Sequence, residues 1–425
     1  MLQAHSLRWR QHATFIGGGL VVGLLAVGLA VESDAMQAAF RQIIAHSRFI
    51  PLVLTPSGFA LAVYAALRYF PNTQGSGIPQ AIAARTLPDP ADRAKLVGLR
   101  AAVGKIFLTL FGLLVGASTG REGPTVQVGA SVMFLMGRLS PRRQAGLVLA
   151  GAAAGVAAAF NTPLAGIVFA IEEMSRRFEA KTSGLIIGAV ILAGLTSQVL
   201  LGNYTYFGTT AAALPIGTAW IAVPLCGVIG GFAGALFSRI LVMVPTTLPA
   251  GIGGWIKTHP VLFAALCGLG VALCGLMSGD MIYGTGYQNA KAVLHHTGTV
   301  PLDYAPLKLL ATALSAVSGV PGGIFSPSLS IGAGIGADIA HFFHHADPGP
   351  IVLLGMVAYF TGVVRAPITG FVIVAEMSGD HSMLVALMAA ALIANSCAGL
   401  INKEGVYHTL ARRFLPVKTP EPREN

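Results

Sequence analysis

Wholly apolar runs separated by short polar segments make up most of the chain. No Asp, Glu, Lys or Arg occurs from residue 182 to residue 238. A helix that spans a bilayer needs about 20 predominantly apolar residues, so this run alone has room for two spans. The other long apolar runs cover residues 13–31, 52–69, 261–277, 351–364 and 384–400. The pattern predicts an all-α polytopic membrane protein.

The composition agrees with that class and argues against others. Of 425 residues, 54% are hydrophobic and 10% are charged, whereas about 25% of the residues of a soluble domain are charged. The formal net charge of +10 would indicate nucleic-acid binding in a soluble protein. Basic cytoplasmic loops account for it here, and we expect no nucleic-acid partner. The four cysteines lie in apolar runs without metal-ligand spacing, so we expect buried thiols, no metal and no cofactor.

The chain contains two copies of one unit. One set of residues recurs 203 positions later, and a second set recurs 204 positions later. The first set pairs Lys105, Gly120, Pro124 and Gly129 with Lys308, Gly323, Pro327 and Gly332, and the second pairs Gly151, Pro163, Gly166 and Glu172 with Gly355, Pro367, Gly370 and Glu376. We therefore predict a first membrane repeat at 1–205, a second at 206–402 and a final segment at 403–425.

Basic residues are distributed unequally between the matched loops of the two halves. Loops of the first half hold clusters of Lys and Arg at residues 85–100, 138–143 and 176–181. The matching loops of the second half, at residues 288–305, 341–350 and 378–383, carry only Lys291. Since Lys and Arg accumulate on the cytoplasmic side, matched loops are predicted to lie on opposite faces. This is an inverted-topology repeat, with a site at the interface of the halves.

Both ends of the chain are basic, with Arg8 and Arg10 near the start and Arg412 and Arg413 near the end. Both termini are therefore predicted to be cytoplasmic. The first residues also resemble a signal peptide, but their apolar stretch is long and many spans follow it. We expect an uncleaved first helix.

The segment between Arg143 and Arg176 is too short for two spans. It has about thirty residues, interrupted by "FNTP" at residues 160–163, whereas two complete spans need about 40. A single span would place its flanking basic loops on opposite sides of the membrane. We predict a re-entrant hairpin of two half-helices that turns near Asn161, buried in protein or lining a cavity.

Three glycine-proline stretches predict a site for an anion. They are "GSGIP" at 75–79, "GREGP" at 120–124 and "GGIFSP" at 322–327. Glycine permits an unwound backbone, and proline favours the first turn of the helix that follows. Helix N-termini offer free N–H groups and partial positive charge, which bind anions, whereas a cation site would present carbonyl groups or acidic rings.

Glu122 stands in the second of these stretches, within a long run that is otherwise uncharged except for Arg121. Helix dipoles that attract an anion also stabilise a carboxylate, so Glu122 would compete with the substrate for one position, and protonation would end the competition. The alternative is an ion pair with Arg121, although adjacent residues on a helix do not face each other. Arg121 would itself orient the loop or raise the local attraction for anions.

The three motifs in this order, together with "PLAGIVFAIEEM" and "PITGFVIVAEM", resemble the CLC chloride channel and transporter family from about residue 15 to residue 412. The resemblance implies that the Ser76 hydroxyl and the backbone N–H groups of Ile324 and Phe325 bind the central chloride. It also implies an external gate at Glu122 and internal proton transfer at Glu173. Tyr407 in the last helix would add a second hydroxyl, with Tyr204, Tyr206, Tyr283 and Tyr359 as other candidates. The supporting residues are Gly75, Gly77, Pro79, Gly120, Arg121, Gly123 and Pro124.

The family includes passive channels and proton-coupled exchangers, so fold alone does not decide the function. Glu122 and Glu173 together favour exchange of chloride for protons. A passive voltage- or pH-gated chloride channel is the alternative, and an interfacial ion pair with Arg176 or Arg177 is the alternative role of Glu173. Ser76 favours chloride over nitrate and fluoride. The resemblance further implies a homodimer with one pathway per subunit in a prokaryotic inner membrane, without C-terminal regulatory domains.

Two further features have weaker interpretations. "GASTG" at residues 116–120 fits a nucleophile motif around Ser118, but it lies in an apolar helical run without a His or Asp partner, so we do not expect an enzyme. Lys105 and Lys308 occupy matched intramembrane positions, for which we predict a general attraction of anions.

Overall fold

A computed structural model of the chain describes residues 2–139, 143–175, 180–202, 204–210, 214, 217–379 and 381–416. The α-helices are α1 (Leu2–His46), α2 (Pro51–Tyr69), α3 (Ile78–Thr86), α4 (Pro90–Val97), α5 (Leu99–Leu114), α6 (Glu122–Met136), α7 (Gln144–Phe160), α8 (Pro163–Phe169), α9 (Ala180–Leu201), α10 (Ala222–Thr246), α11 (Ala250–Thr258), α12 (Pro260–Met277), α13 (Tyr287–Leu294), α14 (Tyr304–Val317), α15 (Phe325–Ala340), α16 (Pro348–Val364), α17 (Pro367–Ser378), α18 (Leu384–Ile401) and α19 (Val406–Ala411).

The all-α membrane architecture is confirmed. Within the described residues, seven helical segments are long and apolar enough to span a membrane: Phe15–His46, Pro51–Tyr69, Pro90–Leu114, Gly184–Leu201, Thr218–Thr246, Pro260–Met277 and Leu384–Ile401. Shorter apolar helices, among them α7, α14, α16 and α17, lie between these spans. Arg142, Arg176, Arg177 and residues 417–425 lie outside the described residues, as do the side chains of Arg8, Arg10 and Lys181. The predictions that depend on them stay predictions.

The break predicted near Asn161 is present, and it recurs in the second half. α7 ends where Asn161 adopts a left-handed conformation with φ 55°, and α8 begins two residues later at Pro163. α16 ends in the same way at Arg365, with φ 66°, and α17 begins at Pro367. The Asn161 side chain donates to the carbonyl of Tyr204 at 2.6 Å, which fixes the turn. Each half therefore contains the same pair of half-helices.

Glycines that match between the halves make the same helix contacts in each. A Cβ on Gly129 of α6 would collide with the carbonyl oxygen of Gly151 on α7, and a Cβ on Gly332 of α15 would collide with that of Gly355 on α16. Small residues let helix backbones approach this closely inside a membrane. The two copies seen in the sequence therefore also pack these helix pairs in the same way.

The two halves meet through reciprocal contacts. Gly120 and Gly323 exchange backbone hydrogen bonds, with each N–H 2.7 Å from the other residue's carbonyl oxygen. Contacts in which each copy gives and receives the same interaction are typical of a two-fold relation. The glycine pair thus joins the two halves by the same hydrogen bond in both directions.

Two matched glutamates make a second reciprocal contact. Glu172 accepts from the backbone N–H groups of the second and third residues of α17, at 3.1 and 2.6 Å. Glu376 accepts from the second and third residues of α8, at 3.0 and 2.6 Å. A carboxylate satisfies the free N–H groups of a helix N-terminus and opposes its partial positive charge. Each half therefore caps a half-helix of the other.

Candidate functional site

The three glycine-proline motifs of the sequence lie side by side in the interior. Gly322 donates to the carbonyl of Gly75 at 3.1 Å, and Gly120 pairs with Gly323 as described above. These bonds join the unwound segments that precede α3, α6 and α15. Three helix N-termini consequently begin near one another, which concentrates free N–H groups and partial positive charge at one place.

Glycines allow these segments to pack at backbone distance. Gly77 caps α3 with φ 95°, and a Cβ there would lie 2.7 Å from the side chain of Gln127. A Cβ on Gly123 would collide with the hydroxyl of Ser76. Pro79 and Pro124 lie in the first turns of α3 and α6. Backbone N–H groups in a first turn have no partner within the helix, so a proline there, which lacks the N–H, costs no helical hydrogen bond. The motif residues thus hold the Ser76 hydroxyl against the first turn of α6.

Apart from their interaction with each other, two buried hydroxyls at this place have no hydrogen-bonding partner among the described residues. They belong to Ser76 and Tyr407. Tyr407 is fully buried on α19, and its hydroxyl interacts with Ser76 and, at longer range, with Glu122 and Glu173. Buried hydroxyls in proteins are nearly always hydrogen-bonded, so two unsatisfied ones beside helix N-termini suit a ligand that accepts hydrogen bonds. An anion is such a ligand.

Ile324 and Phe325 form the start of α15 next to Tyr407. Both are buried, and the rings of Phe325 and Tyr407 lie 5.8 Å apart. Phe325 also packs against Phe360 at 5.0 Å and Phe169 at 5.6 Å between ring centroids. The aromatic cluster excludes water from the N-terminus of α15, and electrostatic interactions in such a low-dielectric place are stronger than in water.

Glu122 reaches from its own helix to the N-terminus of another. It is the first residue of α6 and is fully buried. Its carboxylate accepts a short hydrogen bond from the Ser326 hydroxyl and a longer one, 3.5 Å, from the Ser326 backbone N–H. Ser326 is the second residue of α15. The carboxylate therefore lies at the N-terminus of a second helix, a position that suits an anion.

Arg121 points away from this place. Its guanidinium donates to the Asp34 carboxylate at 2.8 Å and to the carbonyl of Ala30 at 2.5 Å, both on α1. The ion pair is thus made with Asp34 rather than with the neighbouring Glu122. Since the contact joins the GREGP loop to the first helix, it supports the role of orienting the loop.

Glu173 is buried in a π-helical turn (Ala170–Ser175) that continues α8. His408 on α19 lies 2.5 Å from the backbone carbonyl of Glu173 and 3.9 Å from its carboxylate. α19 thus carries Tyr407 beside Ser76 and His408 beside Glu173. The sequence analysis did not single out His408, although it directly follows the candidate tyrosine.

The matched lysines are fully buried and bind backbone carbonyls. Lys105 donates to two carbonyl oxygens in the segment before α3, at 2.5 and 2.8 Å. Lys308 donates to two in the segment before α13, at 2.7 and 2.8 Å. Beyond the predicted attraction of anions, each lysine therefore holds an unwound segment in place.

Ser118 is part of the packing between the two halves. Its hydroxyl lies 2.9 Å from that of Thr312, and its N–H donates to the Ser315 hydroxyl at 3.1 Å. Nothing in these contacts activates the hydroxyl as a nucleophile. In the part of the chain that the structure describes, no group of three or more His, Cys, Asp or Glu side chains is arranged to hold a metal ion.

Comparison with known proteins gives matches across nearly the whole chain. Residues 58–399 match the family model described as voltage gated chloride channel. The H(+)/Cl(-) exchange transporter ClcA of Yersinia pestis bv. Antiqua (strain Angola) is 30% identical over 430 residues, covering 93% of this chain and 86% of that protein. The protein of the same name from Klebsiella pneumoniae (strain 342) is 30% identical over 442 residues, covering 95% and 91%.

Solved structures show the same fold. A slow cyanobacterial Cl-/H+ antiporter superimposes with a TM-score of 0.81 at 24% identity, covering 95% of this chain and 97% of that one. A CLC-type fluoride/proton antiporter superimposes with a TM-score of 0.76 at 22% identity, covering 94% and 98%. Broken helices arranged as in this chain are thus shared with known antiporters.

Proposed function

The chain belongs to the voltage-gated chloride channel family, and from that premise we propose that it exchanges chloride for protons across a membrane. The observation that carries the proposal is the position of the Glu122 carboxylate, held by Ser326 at the N-terminus of α15. A titratable group in a place built for an anion ties the movement of one ion to that of the other.

Chloride is bound, in this proposal, by the hydroxyls of Ser76 and Tyr407 and by the backbone N–H groups of Ile324 and Phe325. The two hydroxyls are buried and, apart from each other, lack partners among the described residues, which leaves at least one hydroxyl hydrogen available to an anion. The N-terminus of α15 adds partial positive charge. Because all four ligands come from one chain, the pathway is complete within a subunit, as expected for a homodimer with one pathway each.

Glu122 acts as the outer gate. As a carboxylate it accepts from Ser326 and blocks the anion position. Once protonated it loses both its charge and its advantage over chloride at the helix N-terminus. Chloride then replaces it, and the proton leaves with the side chain. Because the carboxylate and chloride occupy the same position in turn, proton movement and chloride movement depend on each other.

Glu173 delivers protons from the inner side. It is 2% exposed and lies against α19, so it is neither freely solvated nor far from the anion site. Hydroxyl and N–H groups bind an anion but do not bind an extra proton near neutral pH, so the proton path needs a separate titratable group, and Glu173 is the buried acid at this place. A passive chloride channel would not need this buried acid. Its presence therefore favours the exchanger.

We also propose that the protein resides in a prokaryotic inner membrane with both termini in the cytoplasm. The basic loops of the first half, which include the exposed Arg138 and Arg143, support this orientation. The relatives are named as transporters, and the packing role of Ser118 supports the view that this chain is not an enzyme.

The direct test is reconstitution of the purified protein in weakly buffered liposomes with an outward chloride gradient. With the membrane potential held at zero by potassium and valinomycin, and no initial pH difference, we expect protons to enter as chloride leaves. A passive leak cannot move protons under these conditions, because nothing but coupling drives them. Protein-free liposomes are the control, and chloride efflux without proton uptake would identify a channel instead.

A second prediction concerns the Ser76 hydroxyl. Ser76→Ala is expected to weaken chloride binding about ten- to a hundredfold, since hydrogen bonds to charged groups contribute roughly 1.5–3 kcal/mol. Ser76→Pro is expected to shift the flux ratio from chloride toward nitrate. Chloride titration by calorimetry and competing-anion flux measure the two effects. Unchanged affinity and an unchanged ratio in both variants would remove Ser76 from the anion site.

A further inference from the structure

Tyr206 is buried beside Glu122, in the segment between α9 and α10. It is 3% exposed, and its ring packs edge-to-face against Phe160 at 5.4 Å and Tyr287 at 4.8 Å between centroids. The Tyr206 hydroxyl lies 3.3 Å from the hydroxyl of Ser326. The aromatic packing thus directs this hydroxyl at the residue that binds the gate.

The hydrogen bond between Tyr206 and Ser326 has one possible direction while Glu122 is ionised. A hydroxyl carries a single hydrogen, and that of Ser326 is donated to the Glu122 carboxylate. Ser326 can then only accept, so the Tyr206 hydroxyl is the donor. The two hydroxyls form a chain that points at the carboxylate, and each hydrogen bond in such a chain polarises and strengthens the next.

This chain favours the ionised gate over the protonated one. Hydrogen bonds to an ionised acceptor are roughly twice as strong as those between neutral groups. A protonated carboxyl can also donate a hydrogen bond. The Ser326 hydroxyl can then either donate its hydrogen to Glu122 or accept the hydrogen of Glu122, so its donation to Glu122 is no longer fixed. Removal of the Tyr206 hydroxyl should therefore destabilise the carboxylate in its position more than the neutral acid.

No other direct hydrogen bond to the carboxylate occurs in the described part of the chain, where Ser326 supplies both. Four further titratable or charged groups lie near Glu122 or Tyr206 in the described part of the chain. They are Arg121 just before α6, Asp34 on α1, Tyr287 on α13 and Tyr407 on α19. Arg121 is bound by Asp34, so the chain of the Tyr206 and Ser326 hydroxyls is the contact that holds the Glu122 carboxylate in its orientation.

We infer that Tyr206 is a positioning residue for the Glu122 gate, acting through Ser326, and that it sets the pH at which the gate opens. The inference rests on the proposed function, since it requires that departure of Glu122 admits chloride. Tyr206 itself touches neither chloride nor the transported proton. It determines the proton concentration at which the carboxylate leaves.

Tyr206→Phe keeps the ring and removes the hydroxyl. The pH of half-maximal chloride flux, measured in liposomes with equal pH on both sides, is expected to rise by up to about one unit, because a neutral hydrogen bond contributes roughly 0.5–1.5 kcal/mol. The sign follows from the weaker hold on the carboxylate, which then leaves at a lower proton concentration. Tyr304→Phe is the matched control, since Tyr304 makes an equivalent buried bond, 2.6 Å, to Ser330 on the same helix.

A double-mutant cycle tests whether Tyr206 acts through Ser326. Ser326→Ala is expected to raise the same pH midpoint, and Tyr206→Phe added to it should cause no further rise, because the link is already lost. An unchanged midpoint in Tyr206→Phe, an equal rise in Tyr304→Phe, or additive shifts in the double variant would each overturn the inference. If the unmodified protein carries chloride without protons, the proposed function fails instead, which is a separate and earlier result.

Discussion

Glu122→Gln is expected to abolish proton transport while chloride continues to flow. Glutamine has nearly the shape of a protonated glutamate and stays neutral at every working pH, so it neither carries a proton nor competes as an anion at the N-terminus of α15. Chloride flux should also lose its pH dependence, because the titratable gate is gone. The measurement is chloride efflux and external pH in weakly buffered liposomes, at pH values from about 3.5 to 7.5, a range that includes the ordinary pKa of glutamate, about 4.3.

Glu376→Gln is the matched control for this variant. Glu376 is a half-buried glutamate that is also bound to a helix N-terminus, but it caps α8 rather than reaching the anion position. It should retain proton coupling. Coupled transport that survives Glu122→Gln would remove Glu122 from the gate, whatever its hydrogen bonds.

Glu173→Gln is expected to leave chloride movement largely intact and to reduce gradient-driven proton transport to that of protein-free liposomes. The carboxylate that is proposed to load protons on the inner side is then gone, while the anion ligands are untouched. With the potential held at zero and an imposed chloride gradient, the external pH should stay constant. The effect differs from that of Glu122→Gln, because the chloride flux keeps its dependence on pH.

Glu172→Gln separates the two adjacent acids. Glu172 accepts from the start of α17 and from the Thr369 hydroxyl at 2.8 Å, contacts that a glutamine oxygen partly preserves. Appreciable coupling should remain in this variant. Protons pumped at the normal rate by Glu173→Gln would show that the exchanger uses another inner acid, and loss of coupling in Glu172→Gln alone would identify it.

Much of the fold could be predicted because the relevant signals are local or repeated. Apolar run length indicates the membrane spans, and the spacing of charges around "FNTP" indicates the broken hairpin at Asn161. Matched glycines and lysines 203 or 204 residues apart indicate the duplication, from which the meeting of the GREGP and GGIFSP loops follows. Each of these inferences depends on the order of residues along the chain and needs no knowledge of side-chain packing.

The missed contacts all depend on which side chains meet in space. Asp34, the partner of Arg121, lies 87 positions away on the first helix, and nothing in its neighbourhood marks it. Glu172 and Glu376 are recognisable in the sequence only as a matched pair of the repeat, because helix capping by a residue from the opposite half leaves no local pattern. Tyr206 and His408 are common residue types in unremarkable segments. Their partners become evident only when the halves are packed together.

Lys105 and Lys308 bear on which ions the interior rejects as well as on which it attracts. Unwound backbone inside a membrane exposes carbonyl oxygens, the same atoms with which potassium channels replace the water around a cation. In this chain four such oxygens, two before α3 and two before α13, already accept hydrogen bonds from a lysine amino group that is part of the protein. A sodium or potassium ion arriving there would find those coordination positions filled. Cations are thus excluded partly because tethered amino groups occupy the sites that a free cation would need.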